Sequence, residues 1–136
     1  AKVFAVNAYG PILVVKHLYK HLAHGDRAVL AHLSARVGSI GDNKLGGWYG
    51  YRASKAALNQ FVRGMAVELK RKNKNIVCVA IHPGTVDTRL TKPFQRSAKV
   101  LFTPKDSVSR MIGVLEGLTP SQTGEFFAYD GTPIEW

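Results

Sequence analysis

The sequence has 136 residues, of which 46% are hydrophobic and 21% are charged, a balance typical of one globular domain and outside the range of disordered chains. No apolar run approaches the roughly 20 residues needed to span a bilayer, so we expect no membrane partner. The single cysteine, Cys78, gives no disulfide framework and fits a protein of the reducing cytoplasm.

The formal net charge is +10, from 19 Lys and Arg against 9 Asp and Glu, and such a charge can indicate nucleic-acid binding. The basic run Lys70-Arg71-Lys72-Asn73-Lys74 falls where a helix is expected to end, and cations there complement the helix dipole. No aromatic residues interleave the run as stacking platforms. A basic nucleic-acid-binding module is therefore the least favoured interpretation.

The first predicted element is a helix from Val3 to about Ala23, because apolar residues recur there at helical spacing. Pro11 has no N–H, so the carbonyl of Asn7 loses its helical partner and a kink is expected at Asn7. The chain begins at Ala1 without Met and inside an element, from which we expect a fragment of a longer chain.

Apolar runs predict strands buried on both faces at residues 27–33 and 76–81, and a last strand at residues 125–129. Between them, a Gly-rich loop at 41–47 precedes a helix that should reach about Lys72. Residues 89–102, which we call the cover segment, have no clear period and could close over a site. This alternation of strands and helices predicts an α/β doubly wound fold.

For two helices the sequence predicts which residues form the polar and the apolar face. In the central helix, Asn59 lies with Gln60 and Arg63 on the polar side, while apolar residues spread over about half the circumference and suggest a second packing partner. The last helix opens at Thr103-Pro104 with a hydroxyl cap. Its apolar face is expected to consist of Val108, Met111, Ile112, Leu115 and Leu118.

Tyr51 and Lys55 lie four residues apart at the start of the central helix, so both side chains fall on one helical face. A phenol titrates near ~10, and a fixed cation beside it lowers that pKa. Tyr51 is therefore a candidate for proton transfer. His32 interrupts the first strand without a second histidine at metal-ligand spacing, and we predict no metal site.

Three stretches read together resemble the short-chain dehydrogenases/reductases: Ala5-Val6-Asn7-Ala8, YRASKAALN from Tyr51, and His82-Pro83-Gly84-Thr85-Val86-Asp87-Thr88. Further motifs are similar to the branch that includes the C-factor and sniffer-like carbonyl reductases: Gly38-Ser39-Ile40-Gly41-Asp42-Asn43, Gly46-Gly47 and Tyr129-Asp130-Gly131. The likeness spans almost all 136 residues but matches only the C-terminal half of such an enzyme. It implies a Rossmann-like parallel sheet, the C-terminal half of a three-layer αβα domain whose cofactor-binding Gly-rich turn is absent from this sequence.

The resemblance implies hydride transfer between a nicotinamide cofactor and a carbonyl or alcohol carbon. Tyr51 would protonate the carbonyl oxygen, Lys55 would lower the pKa of Tyr51 and bind the nicotinamide ribose, and the carbonyl of Asn7 would hold a relay water. The segment with Pro83, Gly84, Val86 and Thr88 would flank the nicotinamide, with the Val86 backbone and the Thr88 hydroxyl at the carboxamide.

In this family a serine, the second of a Ser-Ser pair, orients the substrate. This sequence departs from that pattern, because the second position is Ala35. Either Ser34 or Ser39 supplies the hydroxyl by a shift of the loop, or the site works with weaker polarisation of the carbonyl. Ser34 is preferred because it is nearer in register, although Ser39 lies in the more flexible Gly-flanked turn.

The cofactor is NADP or NAD. The sequence does not decide between them because the discriminating residues belong to the absent half, and NADP is slightly favoured. The resemblance further implies a homodimer or homotetramer and a small-molecule carbonyl or alcohol substrate. The alternative hypothesis, motivated by Ala35, is a weakly active or inactive dehydrogenase fold with a signalling or scaffolding role.

Overall fold

Three parallel strands form the sheet in a computed structural model that describes residues 1–136 throughout. Their order is β1 (Ala28–Leu33), β2 (Ile76–His82) and β3 (Phe126–Ala128). The register runs from Ala28 opposite Ile76 in the first pair and from Ala80 opposite Phe126 in the second. The central strand β2 is therefore hydrogen-bonded on both sides, as its unbroken apolar run predicts.

The first helical stretch comprises α1 (Lys2–Phe4), a π-helical turn (Ala5–Tyr9) and α2 (Gly10–Leu22). The fault predicted at Asn7 is confirmed, and it takes the form of this π-helical turn, in which the Gly10 N–H donates to the carbonyl five residues earlier. Pro11 explains the change of step because it cannot donate to the Asn7 carbonyl.

Two further helices are α3 (Tyr49–Lys70) and α4 (Pro104–Gly117). Thr103 caps α4 as predicted, since its hydroxyl accepts from the Asp106 N–H at 3.1 Å. The helix α3 ends two residues before the expected Lys72. The buried Asn73 explains the turn there, because its amide donates to the carbonyls of Leu22 and Asp26. Short 3₁₀ turns occupy Arg36–Gly38, Lys92–Ser97 and Pro120–Gln122.

The two faces of β2 pack against different helices. One core cluster joins α2 and α3 to Cys78 and its alternate neighbours on β2. The other joins Val77 and Val79 to Leu118 and to partly buried residues of α4. Helices thus cover both faces of the sheet, which confirms the doubly wound arrangement.

The predicted apolar face of α4 is only partly correct. Met111 and Leu118 are buried, but Val108 and Ile112 are exposed. Ser107 lies buried instead, because its hydroxyl donates to the Pro83 carbonyl at 2.7 Å and turns this side of the helix inwards.

The strand β1 lies at the edge of the sheet. The prediction that it is buried on both faces is met only in part: Leu30 packs against one core cluster and Val29 and Ala31 against the other, but these residues are half-buried and Leu33 is exposed. An edge strand has a neighbour on one side only, which leaves its outer backbone groups and part of its side chains uncovered. No helix is long and apolar enough to cross a membrane.

Candidate active site

Tyr51 lies in the first turn of α3 and lines a cavity of about 710 Å³. The cavity is bounded by the start of α3, by the loop after β2 and by the cover segment. Its lining residues are Trp48, Tyr49, Gly50, Tyr51, Gly84, Thr85, Leu90, Thr91, Phe94, Ser97 and Ala98. The predicted acid and part of the predicted nicotinamide loop therefore border one space.

Burial controls the titration of both members of the Tyr-Lys pair. It raises the pKa of the Tyr51 phenol above 10.0 and lowers the pKa of the Lys55 ammonium below 10.5. The expected lowering of the Tyr51 pKa by Lys55 is thus wrong for this chain, because desolvation acts in the opposite direction. The phenol is protonated at neutral pH and can donate a proton.

The Lys55 ammonium is held by the end of β1, since its Nζ donates to the Leu33 carbonyl at 2.9 Å. Gly38, in the turn that follows β1, packs on the same residue. A Cβ atom built at Gly38 would lie 2.7 Å from the Lys55 Cβ, so only glycine allows this approach. The segment after β1 thereby fixes the start of the lysine side chain.

Asn7 is tied to the same helix through Ser54. The Asn7 Nδ2 donates to the Ser54 Oγ at 3.1 Å, and this hydroxyl donates to the Tyr51 carbonyl at 2.8 Å. Ser54 is fully buried. The π-helical turn and the turn of α3 that carries Tyr51 are therefore joined by a direct side-chain connection.

Neither candidate serine lines the cavity. Ser34 is 3% exposed and its hydroxyl donates to the Asn59 Oδ1 at 2.5 Å, while the Ser39 hydroxyl accepts from the Asp42 N–H at 3.0 Å. Asn59 is consequently buried, and its predicted place on the polar side of the helix is wrong. The hydrogen bond from Ser34 satisfies the buried Asn59 Oδ1, whereas the buried Asn59 Nδ2 has no hydrogen-bond partner.

The loop after β2 approaches the cavity through its backbone. Gly84 has φ of 78°, and a Cβ atom there would lie 2.9 Å from the Phe102 ring and 3.0 Å from the Tyr129 ring. Only glycine fits this left-handed position between two aromatic rings. Gly84 and Tyr51 both line the cavity. Pro83 does not line it, and its carbonyl accepts a hydrogen bond from the Ser107 hydroxyl on α4.

Val86 and Thr88 do not line the cavity; both are joined to Thr91 at the start of the cover segment. The Thr91 hydroxyl donates to the Val86 carbonyl, and the Thr88 N–H donates to the Thr91 Oγ1 at 3.2 Å. Val86 also pairs with Phe102 in a parallel β-bridge. The two ends of the cover segment are thus attached to the loop that was predicted to flank the nicotinamide.

His82 joins the ends of β2 and β1. Its Nδ1 accepts from the Arg36 N–H at 3.3 Å. Burial, reinforced by the Arg36 charge and opposed by Asp130 and Asp42, lowers the pKa of His82 from 6.5 to about 4. The imidazole is therefore neutral at pH 7 and serves as an acceptor for the turn that contacts Lys55.

Sequence reasoning missed several residues of this site. Ser54 stood inside the quoted YRASK motif, three residues after Tyr51, and its burial could have been read from that helical spacing. Trp48 and Phe94, whose rings meet across the cavity, and Thr91 gave no such signal, because contacts between distant segments leave no periodic pattern.

The profile of the short chain dehydrogenase family matches residues 1–99. The chain is 39% identical over 136 residues to the C-signal protein of Myxococcus xanthus. The alignment covers all of this chain and 78% of that protein.

Solved structures give the same result for the fold. The carbonyl reductase Sniffer of D. melanogaster superposes with a TM-score of 0.85 at 30% identity, over 98% of this chain and 55% of that one. The NADPH-bound carbonyl reductase from chicken fatty liver gives a TM-score of 0.83 at 29% identity, over 99% of this chain and 56% of that one. The chain thus spans about half the length of these enzymes, and the predicted branch and Rossmann-like fold are confirmed.

Proposed function

The chain belongs to the short-chain dehydrogenase family, and from this we propose that its protein is an NAD(P)-dependent oxidoreductase acting on a carbonyl or alcohol carbon. One observation supports the proposal above all others. Tyr51, protonated and half-buried, borders the same cavity as the backbone of Gly84 in the loop after β2. A proton donor and a backbone segment without a side chain therefore border one space.

In the direction of reduction, Tyr51 donates its phenolic proton to the substrate oxygen. A nicotinamide cofactor, when bound, supplies the hydride, and the hydride and the proton together convert the carbonyl to an alcohol. In this proposal the Lys55 charge, one helical turn away, attracts the phenolate that remains and offsets part of the cost that burial imposes on it. Alcohol oxidation uses the same groups with the proton moving in reverse.

The residues present fit the nicotinamide end of such a cofactor. Gly84 lines the cavity, while Lys55 does not line it and donates to the Leu33 carbonyl at the end of β1. We assign the nicotinamide contacts to Pro83, Gly84, Val86 and Thr88 as the sequence predicts. The NADPH-bound state of the chicken relative supports NADP over NAD for this protein.

Asn7 has a supporting role in this proposal. Its amide reaches Ser54, whose hydroxyl in turn contacts the Tyr51 backbone, so Asn7 positions the turn that carries the acid. Its carbonyl belongs to the π-helical turn and would hold the relay water. Ser34 would orient the substrate only if its hydroxyl left Asn59.

The proposal extends to the whole protein and its assembly. Exposed apolar residues of α2, among them Leu13, Val14 and Leu18, and the open edge of β1 support a domain of which this chain is the C-terminal part. A second groove, between α2 and α3, is lined by Ile12, Tyr19 and Phe61. This groove supports a homodimer or homotetramer built on these two helices.

The test is Tyr51→Phe in the full-length protein, followed by NADPH or NADH oxidation at 340 nm with simple aldehydes and ketones. Loss of the proton donor should reduce kcat/KM by about 10²- to 10⁴-fold. Tyr9→Phe, at an exposed ring outside the cavity, is the matched control and should keep the rate. Retention of turnover by Tyr51→Phe, or failure of the full-length protein to bind either cofactor, rejects the proposal.

A signalling or scaffolding function is the second candidate, favoured by Ala35 at the position of the substrate-orienting serine and by the likeness to a protein named C-signal. The variant Ala35→Ser separates the two. A sharp rise in turnover indicates an enzyme with a weakened site, whereas no turnover before or after the change favours the second function.

A further inference from the structure

Two aromatic rings that no motif predicted line the Tyr51 cavity, one at the start of α3 and one in the cover segment. Trp48 and Phe94 meet edge to face, with ring centroids 4.9 Å apart and planes at 62°. Both rings are about half exposed, so each still offers area to a ligand. Edge-to-face pairs of this kind contribute about 0.5–1.5 kcal/mol beyond the area that they bury.

Trp48 holds its place at a conformational cost. Its φ of 50° makes it the only residue other than glycine with a positive φ, and a bulky residue adopts this region at a cost of about 1–3 kcal/mol. Arg52, on the first turns of α3, stabilises the turn by donating to the carbonyls of Gly46 and Gly47 at 3.2 and 3.0 Å. The packed helix thus imposes the unusual backbone that points Trp48 at Phe94.

Phe94 is anchored from the other side. Its N–H donates to the Thr91 carbonyl at 2.8 Å, and the Thr91 hydroxyl bonds the loop after β2. The aromatic pair therefore connects α3 to the cover segment across the mouth of the cavity. Such a contact determines how far the two walls stand apart.

The chemistry of the lining is one-sided. None of its eleven residues is charged, although the sequence has 19 Lys and Arg. Leu90, Phe94, Ala98 and Trp48 supply apolar surface, and the polar groups of the lining are uncharged hydroxyls: those of Tyr49, Tyr51, Thr85, Thr91 and Ser97. A ligand with a charged group would enter this space without a counter-charge and would lose hydration.

We propose that Trp48 and Phe94 are the specificity-determining residues of this cavity: they pack on the uncharged aryl or branched alkyl group of the carbonyl substrate and limit its size. This inference rests on the proposed function for the carbonyl, but the binding of the apolar group depends only on the cavity.

The first experiment measures binding without turnover, in the full-length protein saturated with NADP⁺ and with Trp48 as its only tryptophan. Acetophenone should quench Trp48 fluorescence saturably, and 4-acetylbenzoate, which adds a carboxylate to the same ring, should bind at least about tenfold more weakly. The matched control is a separate variant with Trp48→Phe and with Trp136 kept as its only tryptophan; Trp136, stacked on Phe126 away from the cavity, should show no saturable quenching. Equal affinity for the two ligands, equal quenching of Trp136, or no saturable quenching of Trp48 overturns the inference.

The second experiment separates substrate selection from catalysis. Trp48→Gly suits the left-handed backbone, and Phe94→Ala removes the opposing ring without touching that turn. Each should raise KM for acetophenone by about tenfold with kcat nearly kept, and should shift the preference towards 4-phenylacetophenone. An unchanged preference in both variants overturns the inference. If the unaltered protein reduces no carbonyl, the proposed function fails, and the fluorescence result alone decides whether the pocket selects apolar groups.

Discussion

The two walls of the cavity are built in opposite ways. On one side α3 is packed into the core, with Leu58 1% exposed and the Ser54 hydroxyl fully buried between Asn7 and Tyr51. On the other side the cover segment is mostly exposed, with Leu90 72% exposed, and it is held mainly through Thr91 and one β-bridge. The residues proposed for proton transfer are on the first wall and those proposed for substrate selection are partly on the second.

This difference has a physical basis. A proton donor must be held within a fraction of an ångström of its acceptor, and a helix whose opposite face is buried gives that precision. A surface that adapts to a substrate needs little buried area and can rearrange at low cost. Substitutions on the two sides should therefore affect different properties, stability on α3 and selectivity on the cover segment.

The largest contrast is expected between two leucines. Leu58→Ala removes a side chain buried between α3 and the sheet and should lower the free energy of unfolding by about 2–5 kcal/mol. Leu90→Ala, the matched change in the cover segment, should alter it by less than about 0.5 kcal/mol. Urea unfolding of both variants measures the difference. Similar losses would show that the cover segment is as much a part of the folded core as α3.

Sequence reasoning succeeded where one element determines its own pattern. The uninterrupted apolar run of β2, the break in regular α-helix around Asn7 and the Thr103 cap are local consequences of side-chain chemistry, and all three are observed. The predicted acid and the Gly84 backbone also border one cavity, since both stand next to carboxyl ends of parallel strands.

Sequence reasoning failed where contact with a distant segment determines the burial or the pKa of a residue. Asn59 was placed on the polar side because an amide in isolation prefers water, and only the Ser34 hydroxyl, 25 residues away, makes it an interior residue. The pKa of Tyr51 was expected to fall beside Lys55, but burial by residues from other segments raises it. The sequence alone contains no measure of burial at that precision.

The next effect concerns His82, which joins the strand ends behind the cavity. Its pKa is about 4 in the folded protein against 6.5 when exposed, so the unfolded chain takes up the proton first. The stabilisation is complete above pH 6.5 and is lost as the pH falls through 4, and it amounts to about 3 kcal/mol.

Protonation of Nδ1 would also remove the acceptor of the Arg36 N–H, which loosens the turn that packs on Lys55. Urea unfolding between pH 4 and 7.5 measures the slope. His82→Asn keeps an acceptor oxygen but does not titrate, and it should flatten the curve. An unchanged slope in that variant would assign the acid sensitivity to other groups.

The smallest effect tests whether Ser34 belongs to the packed wall or to the reacting one. Ser34→Ala leaves the Asn59 Oδ1 buried without a donor, which should lower the free energy of unfolding by about 1–3 kcal/mol. The kcat/KM of the full-length protein should stay within about threefold, because the Ser34 hydroxyl does not line the cavity. The double variant Ser34→Ala with Asn59→Leu removes both partners and should recover part of the loss. Ser109→Ala, at an exposed position of α4, controls for the serine-to-alanine change itself. A fall in turnover of a hundredfold or more at unchanged stability would place the Ser34 hydroxyl at the substrate, as the sequence predicted, and would mean that it releases Asn59 when substrate binds.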